Sequence, residues 1–130
     1  MPVTYRIDRP NQLILTRCTG AVVLDEVRQH FVALSQDPEC PERLDVLLDL
    51  SEMTTLPASD QLRTVTTDIA RLQPEIQFGI CAIVAASPAL FGMARMFVVF
   101  AEQYFSATGV FRAEVEGLNW LEGQRRSHSD

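Results

Sequence analysis

The sequence predicts an α/β domain with a mixed, largely parallel sheet, an N-terminal antiparallel hairpin and about four helices. Three observations carry this expectation. Val46-Leu47-Leu48 and the run from Phe78 to Val84 are apolar without alternation, the pattern of strands covered on both faces. Apolar residues recur at helical spacing in the stretches around them. Ahead of both runs, Val3, Tyr5 and Ile7 alternate with polar residues, the period of a half-buried strand. Helices that alternate with apolar strands imply parallel pairing through right-handed crossovers.

The first strand ends at Asp8-Arg9-Pro10-Asn11, a run of turn-forming residues. Leu13-Ile14-Leu15 opens a second strand that ends near Gly20, and the two pair as a hairpin. Leu24, Val27, Phe31 and Leu34 form one helical stripe, with Arg28, Gln29 and Gln36 off it. The segment from Asp37-Pro38 to Pro41 ends that helix, because proline disfavours a helical residue before it.

Val46-Leu47-Leu48 is the next strand. Leu62, Val65, Ile69 and Leu72 then form a second stripe, capped by Ser59 or Asp60 and closed by Pro74. After the strand from Phe78 to Val84, Ser87-Pro88 combines a capping hydroxyl with proline at the first helical position. The long helix it starts runs to about Tyr104. Val110-Phe111 is a short last strand, and Leu118 and Leu121, beside Trp120, mark a final short helix.

A chain of 130 residues has the size of one domain with its own core. Residues 1–122 are expected to form it, with 123–130 as a polar tail. Hydrophobic residues at 47% and charged residues at 22% match a globular rather than a disordered composition. The net charge of −6 and the lack of a segment rich in basic residues argue against nucleic acid or an anionic membrane as partner. Only Arg125-Arg126 cluster, and they are expected at a solvated end.

All 11 basic residues are arginine. The absence of lysine excludes a Walker-type phosphate loop and Schiff-base catalysis. Cys18, Cys40 and Cys81 fit neither a zinc motif nor an even disulfide framework, and Cys81 lies in an apolar run as a small core residue. The N-terminus shows no signal-peptide pattern. The longest apolar stretch, Ala89 to Ala101, includes Arg95 and is too short to span a bilayer, so a cytoplasmic protein is expected.

Catalytic residues are hard to nominate. His128 lies in the polar tail. His30 sits beside an apolar stripe as a boundary residue, with neither a nucleophile nor an orienting partner in view. Asp25-Glu26 and Glu114-Val115-Glu116 read as carboxylates at helix starts, where the helix dipole favours them, rather than as metal ligands. An enzyme would need Asp49 and a second acid in one cleft. No catalytic residue, metal or cofactor is expected.

Two segments suit binding. The stretch from Asp49 to Asp60 follows a buried strand, carries several hydroxyls and ends at a helix start. It is either a capped connection or a recognition loop, since ligands of open parallel sheets bind beyond the carboxyl ends of strands. The Ala85-Ala86-Ser87 turn is expected nearby. The long helix is apolar nearly all round, through Phe91, Met93, Met96, Phe97 and Phe100. A helix on one sheet face needs one apolar stripe. The surplus is met by a homodimer interface, an apolar ligand pocket, or cover from the C-terminal segment. Arg95 within it should reach the surface or pair with a carboxylate.

The order of elements resembles the STAS fold of sulfate transporters and anti-sigma-factor antagonists. Val46-Leu47-Leu48-Asp49-Leu50-Ser51 is similar to that family's apolar strand ending in Asp-Leu-Ser. The family pattern continues to an Asp-Ser-Ser-Gly turn whose first serine is a phosphorylation switch. Here Leu56-Pro57-Ala58-Ser59-Asp60 occupies the turn, with Ala58 where the acceptor would stand, Pro57 for the aspartate and Asp60 for the glycine. Across residues 3–122, Tyr5-Arg6-Ile7-Asp8, Gly20, Asp25-Glu26, Asp49-Leu50, Phe91-Gly92-Met93-Ala94-Arg95 with Phe97, and Trp120-Leu121 resemble the SpoIIAA-like branch of uncharacterised bacterial proteins.

The resemblance implies a small non-enzymatic regulatory domain; with the surplus face of the long helix as a homodimer interface, the expected partner is a protein, bound through Asp49, Ser51, Thr54, Thr55 and Ser59. The alternative is a carrier or sensor of a small apolar or lipid-like ligand held between the long helix and the sheet. STAS domains resemble lipid-binding CRAL-TRIO domains in fold, which supports that alternative.

Overall fold

The computed structural model describes the backbone of residues 2–128 and the side chains of residues 2–126. The strands are β1 (Val3–Asp8), β2 (Leu13–Gly20), β3 (Arg43–Met53), β4 (Gln77–Val84) and β5 (Ala107–Phe111). The helices are α1 (Leu24–Ser35), α2 (Ser59–Leu72), α3 (Pro88–Ala101) and α4 (Glu114–His128). The strands form one sheet in chain order. β1 and β2 are antiparallel, and every later pair is parallel. The mixed sheet and its opening hairpin are as the sequence predicts.

Strand order decides where the helices go. From β2 to β5 each strand adds on the same side of the last. Right-handed crossovers, the rule for such units, then place every connecting helix on one face. α1, α2 and α3 accordingly share one core with Ile14, Leu44, Leu50 and Ile83. α4 follows the last strand and takes the other face, setting Leu118, Trp120 and Leu121 on Leu47, Ile80, Ala82 and Val84. α4 covers the β4–β5 side of that face. The β1–β2 side carries Thr4, Arg6 and Arg17 toward solvent, which an antiparallel hairpin tolerates.

Four boundaries differ from the sequence reading. β3 extends through Asp49 to Met53, so the connection to α2 is only residues 54–58. α2 is capped by Ala58 rather than Ser59 or Asp60. The cap has no side-chain acceptor, but Gln61 reaches back and accepts from the Ala58 N–H at 3.0 Å. α3 stops at Ala101, and residues 102–104 form a 3₁₀ turn. α4 is not short: it runs for 15 residues into the expected tail.

A buried carboxylate explains the length of α4. The β3–β4 register slips between Leu44 and Val46, leaving an extra β4 residue opposite Asp45. Asp45 lies 4% exposed in that bulge. Its Oδ1 accepts from the Ile80 N–H at 2.9 Å, and its Oδ2 is 3.1 Å from Arg125 Nε. Arg125 also donates to the Asn11 carbonyl, which ties the end of α4 to the β1–β2 turn. The expectation of a solvated end therefore fails for Arg125. The last turns of α4 bring Arg125 to the Asp45 carboxylate, which Arg43 also approaches at 3.8 Å. The side chain of His128 lies outside the described residues.

Candidate functional site

Between the sheet and α1, α2 and α3 lies a partly open cavity of about 150 Å³. Its floor includes Thr16 and Cys18 of β2, Val46 and Leu48 of β3, and Ile83 of β4. Its roof includes Val27, His30 and Phe31 of α1, Val65 of α2, and Met93 and Phe97 of α3. Small side chains at Thr16, Cys18 and Ala94 leave the gap under three helices that the sheet holds apart. On the outer surface a two-point ion pair joins α1 to α2. Arg28 Nε lies 3.0 Å from Asp68 Oδ2, and its second nitrogen 3.4 Å from Oδ1.

Of the lining side chains, only Thr16, His30 and Gln61 carry oxygen or nitrogen. Burial alone pushes the His30 imidazole down from 6.5 to about 4, so the ring is neutral at pH 7. Its Nδ1 is buried with no hydrogen-bond partner. Its ring meets Tyr5 edge to face at 5.2 Å and Phe31 at 5.5 Å. The Tyr5 hydroxyl is engaged elsewhere, donating to Asp37 Oδ2 at 2.7 Å. Burial, chiefly, raises the Cys18 thiol to about 11 and the Cys81 thiol to about 12, so neither is a nucleophile near neutral pH.

The cavity's rim lies at the carboxyl ends of β2 and β3. Val22, Val23 and Leu24 form one side, and Met53, Pro57 and Gln61 the other. A single hydroxyl fastens the two sides. Thr55 Oγ1 accepts from the Val22 N–H at 3.0 Å and donates to the Val22 carbonyl at 2.9 Å. Beside it, the Thr54 N–H donates to the carbonyl of Gly20 at 2.8 Å. Gly20 has φ of +65°, a conformation that suits glycine and turns the chain from β2 toward α1.

The expected recognition residues are divided by this arrangement. Asp49 lies inside β3 on the opposite sheet face and is 7% exposed. Its Oδ2 is 3.1 Å from Arg17 Nε, and its Oδ1 accepts from the Ser51 N–H at 2.9 Å. Arg17 also approaches Glu114 at 3.9 Å, so two carboxylates share one guanidinium in a shallow hollow. Neither oxygen of Asp49 is left without a partner. Ser51, Thr54 and Ser59 are exposed, and Thr55 is spent on the rim. Ala58, in the position of the family's acceptor, is exposed at the start of α2.

The five apolar residues of α3 also divide. Met93 and Phe97 are buried and line the cavity. Phe91 and Phe100 are half-buried, each beneath an arginine: Arg112 and Arg63 sit 4.9 Å from the respective ring centres. Met96 and Val99 are exposed, 45% and 68%, with Arg95 beside them at the surface. α4 packs on the far side of the sheet, so the C-terminal segment does not cover α3.

Sequence reasoning missed the rim and the orphan nitrogen. The signal for His30 was present: it falls between Val27, Phe31 and Leu34 on the inward stripe of α1. Thr55 is named in the sequence only as a loop hydroxyl; its fastening of the rim gave no signal, because it depends on Val22, 33 residues earlier.

No family model and no curated protein matches the chain. Solved structures do. One is an uncharacterised protein of the DUF3478 family with a SpoIIAA-like fold, from Shewanella loihica PV-4. It matches with a TM-score of 0.55 and 14% identity over 92% of this chain and 91% of that one. The chain has the SpoIIAA-like fold. That assignment agrees with the antiparallel β1–β2 start, the parallel remainder and the four helices. Among the described residues no helix is long and apolar enough to cross a membrane.

Proposed function

We propose that this SpoIIAA-like domain is a non-enzymatic receptor for a small apolar molecule, held between the sheet and α1, α2 and α3. The cavity carries the reading. Protein interiors hold few voids larger than a water molecule. Leaving about 150 Å³ of apolar space unfilled forgoes packing worth at most about 3–4 kcal/mol, at about 24 cal/mol per Å³ for a fully closed void. That is a large share of the roughly 5–15 kcal/mol that stabilises a domain. A larger residue at Cys18 or Ala94 would remove the cost. A resident ligand gives the void a use. The volume suits a single ring or a short chain rather than an extended lipid, which narrows the lipid-like expectation. Non-denaturing mass spectrometry of the protein from its own cell tests this. A bound organic mass supports the reading. Protein of bare mass, unchanged when a ring-sized hydrocarbon such as toluene is added, contradicts it.

A second reading, the binding of a protein, is favoured by exposed apolar side chains. Met96 and Val99 form an outward patch on α3, and Leu56 is 58% exposed between Thr55 and Ser59. Here α3 meets a second copy of itself, and the segment with Ser51, Thr54 and Ser59 meets a regulatory partner. Sedimentation at rising concentration tests the dimer. Association that Val99→Asp abolishes supports it, and a monomer at every concentration rejects it.

A further inference from the structure

The outward face of α3 carries charges that match it in reverse. Gly92, Arg95, Met96, Val99 and Glu102 are exposed and recur at helical spacing, so they form one stripe. Glu102 belongs to it because the helical turn continues past Ala101: the Glu102 N–H donates to the Val98 carbonyl. A Cβ at Gly92 would meet nothing within 4 Å, so that end of the stripe is uncovered. Arg63 and Arg112 stay on the flanks, over the Phe100 and Phe91 rings. Among the described residues, neither Arg95 nor Glu102 forms an ion pair. Glu102 is also unfavourably placed. It stands at the negative end of the α3 dipole, and the last turn of α3 holds no basic residue.

We propose that two copies of the chain pair antiparallel along α3, about a two-fold axis beside Val99, with Arg95 of each copy bonded to Glu102 of the other. The pairing rests on the reading of α3 as a contact between copies, and it fixes the direction, the register and the residues that specify them. Arg95 and Glu102 are two turns apart, about 10 Å along the helix, on the same side of the stripe. A two-fold axis midway between them reverses the helix and brings each arginine opposite the other copy's glutamate. Both copies then use the same surface, as in most closed dimers. Met96 and Val99 of the two copies pack beside the ion pairs, and each Glu102 gains a cation at a helix end that has none. A parallel pair would set Arg95 level with Arg95 and Glu102 level with Glu102, and like charges across a contact oppose it. A partner that is only acidic or only basic would satisfy one of the two charges, whereas a second copy satisfies both.

Exchange of the two charges tests the pairing, because both side chains are exposed and neither supports the core. Sedimentation equilibrium of the full chain measures association. Arg95→Glu and Glu102→Arg are each expected to weaken self-association about tenfold, since two attractions become two repulsions. Mixing the two variants in equal amounts is expected to restore association, because every repulsion becomes an attraction again. The mixture also controls for folding, since two misfolded chains would not restore each other. The double variant Arg95→Glu/Glu102→Arg should associate like the wild type. Single variants that associate like the wild type, or a mixture as weak as either alone, overturn the antiparallel register. If Val99→Asp still abolishes association in that case, the α3 contact itself stands. A wild type that is monomeric at every concentration overturns the contact and the register together.

Discussion

His30 makes the stability of this domain depend on mild acid. Burial lowers its imidazole from 6.5 to about 4 in the folded protein. The unfolded chain therefore takes up a proton near pH 6.5, where the folded chain still refuses it. Stability from this residue is complete above about pH 6.5 and is lost progressively as pH falls toward 4. The gap, at about 1.4 kcal/mol per pH unit, gives a loss of about 3 kcal/mol. Urea unfolding followed by circular dichroism at pH 7, 5.5 and 4 measures it. Carboxylates titrate in the same range, so His30→Phe is the control. Its unfolding free energy should fall less than that of the wild type over this window, by about 3 kcal/mol. Equal losses in the two proteins would refute a buried neutral imidazole. A wild type that gains stability on acidification would reverse the sign and refute it outright.

Three substitutions probe the rest of the structure. A Cβ at residue 79 would sit well inside contact distance of Asp45 Oδ1, so Gly79→Ala should break the Asp45 bond to Ile80. A loss of about 3 kcal/mol in urea unfolding is expected, and an unchanged midpoint would show that the bulge tolerates a side chain. Thr55→Val removes both bonds across the rim and leaves the Val22 N–H without its acceptor. It should cost about 1–2 kcal/mol and speed amide exchange at residues 20–24 and 54–58; unaltered exchange there would mean the hydroxyl does not hold the rim. Ala94→Leu points extra carbons into the cavity wall. With a true void, stability rises by about 1 kcal/mol and toluene binding is lost, whereas destabilisation by about 1–3 kcal/mol would mean the space is already filled.

The fold was legible because its signals are local. The apolar runs at Val46–Leu48 and Phe78–Val84, the alternation from Val3 to Ile7 and the Ser87-Pro88 start each state an element by itself. Parallel topology then follows from the order of elements and the handedness of crossovers. Ser87 caps α3 as expected, accepting from the Leu90 N–H at 3.2 Å. What the sequence did not show rests on pairs far apart in the chain. Arg125 looks like a tail residue until Asp45, 80 residues away in the sequence, is seen beneath it. Asp49 and Ser51 look like loop residues because Asp49 ends the apolar run, yet β3 continues and buries Asp49 against Arg17. The cavity was half legible. Of the five residues nominated by the surplus apolar character of α3, Met93 and Phe97 line the cavity, Phe91 and Phe100 lie under arginines and Met96 faces outward. No local pattern reports a void, because a void is what side chains from seven elements fail to fill.

The most direct measurement is a toluene titration of the isotope-labelled protein, followed through its methyl resonances. A receptor with an apolar cavity predicts saturable shifts at Val46, Val65, Ile69 and Met93, which face the cavity, with Val32 and Val115 on the outer surface unmoved. Shifts that never saturate, or that fall on the outward Met96 and Val99 instead, would contradict an internal ligand site and leave the surface of α3 as the place where this domain binds.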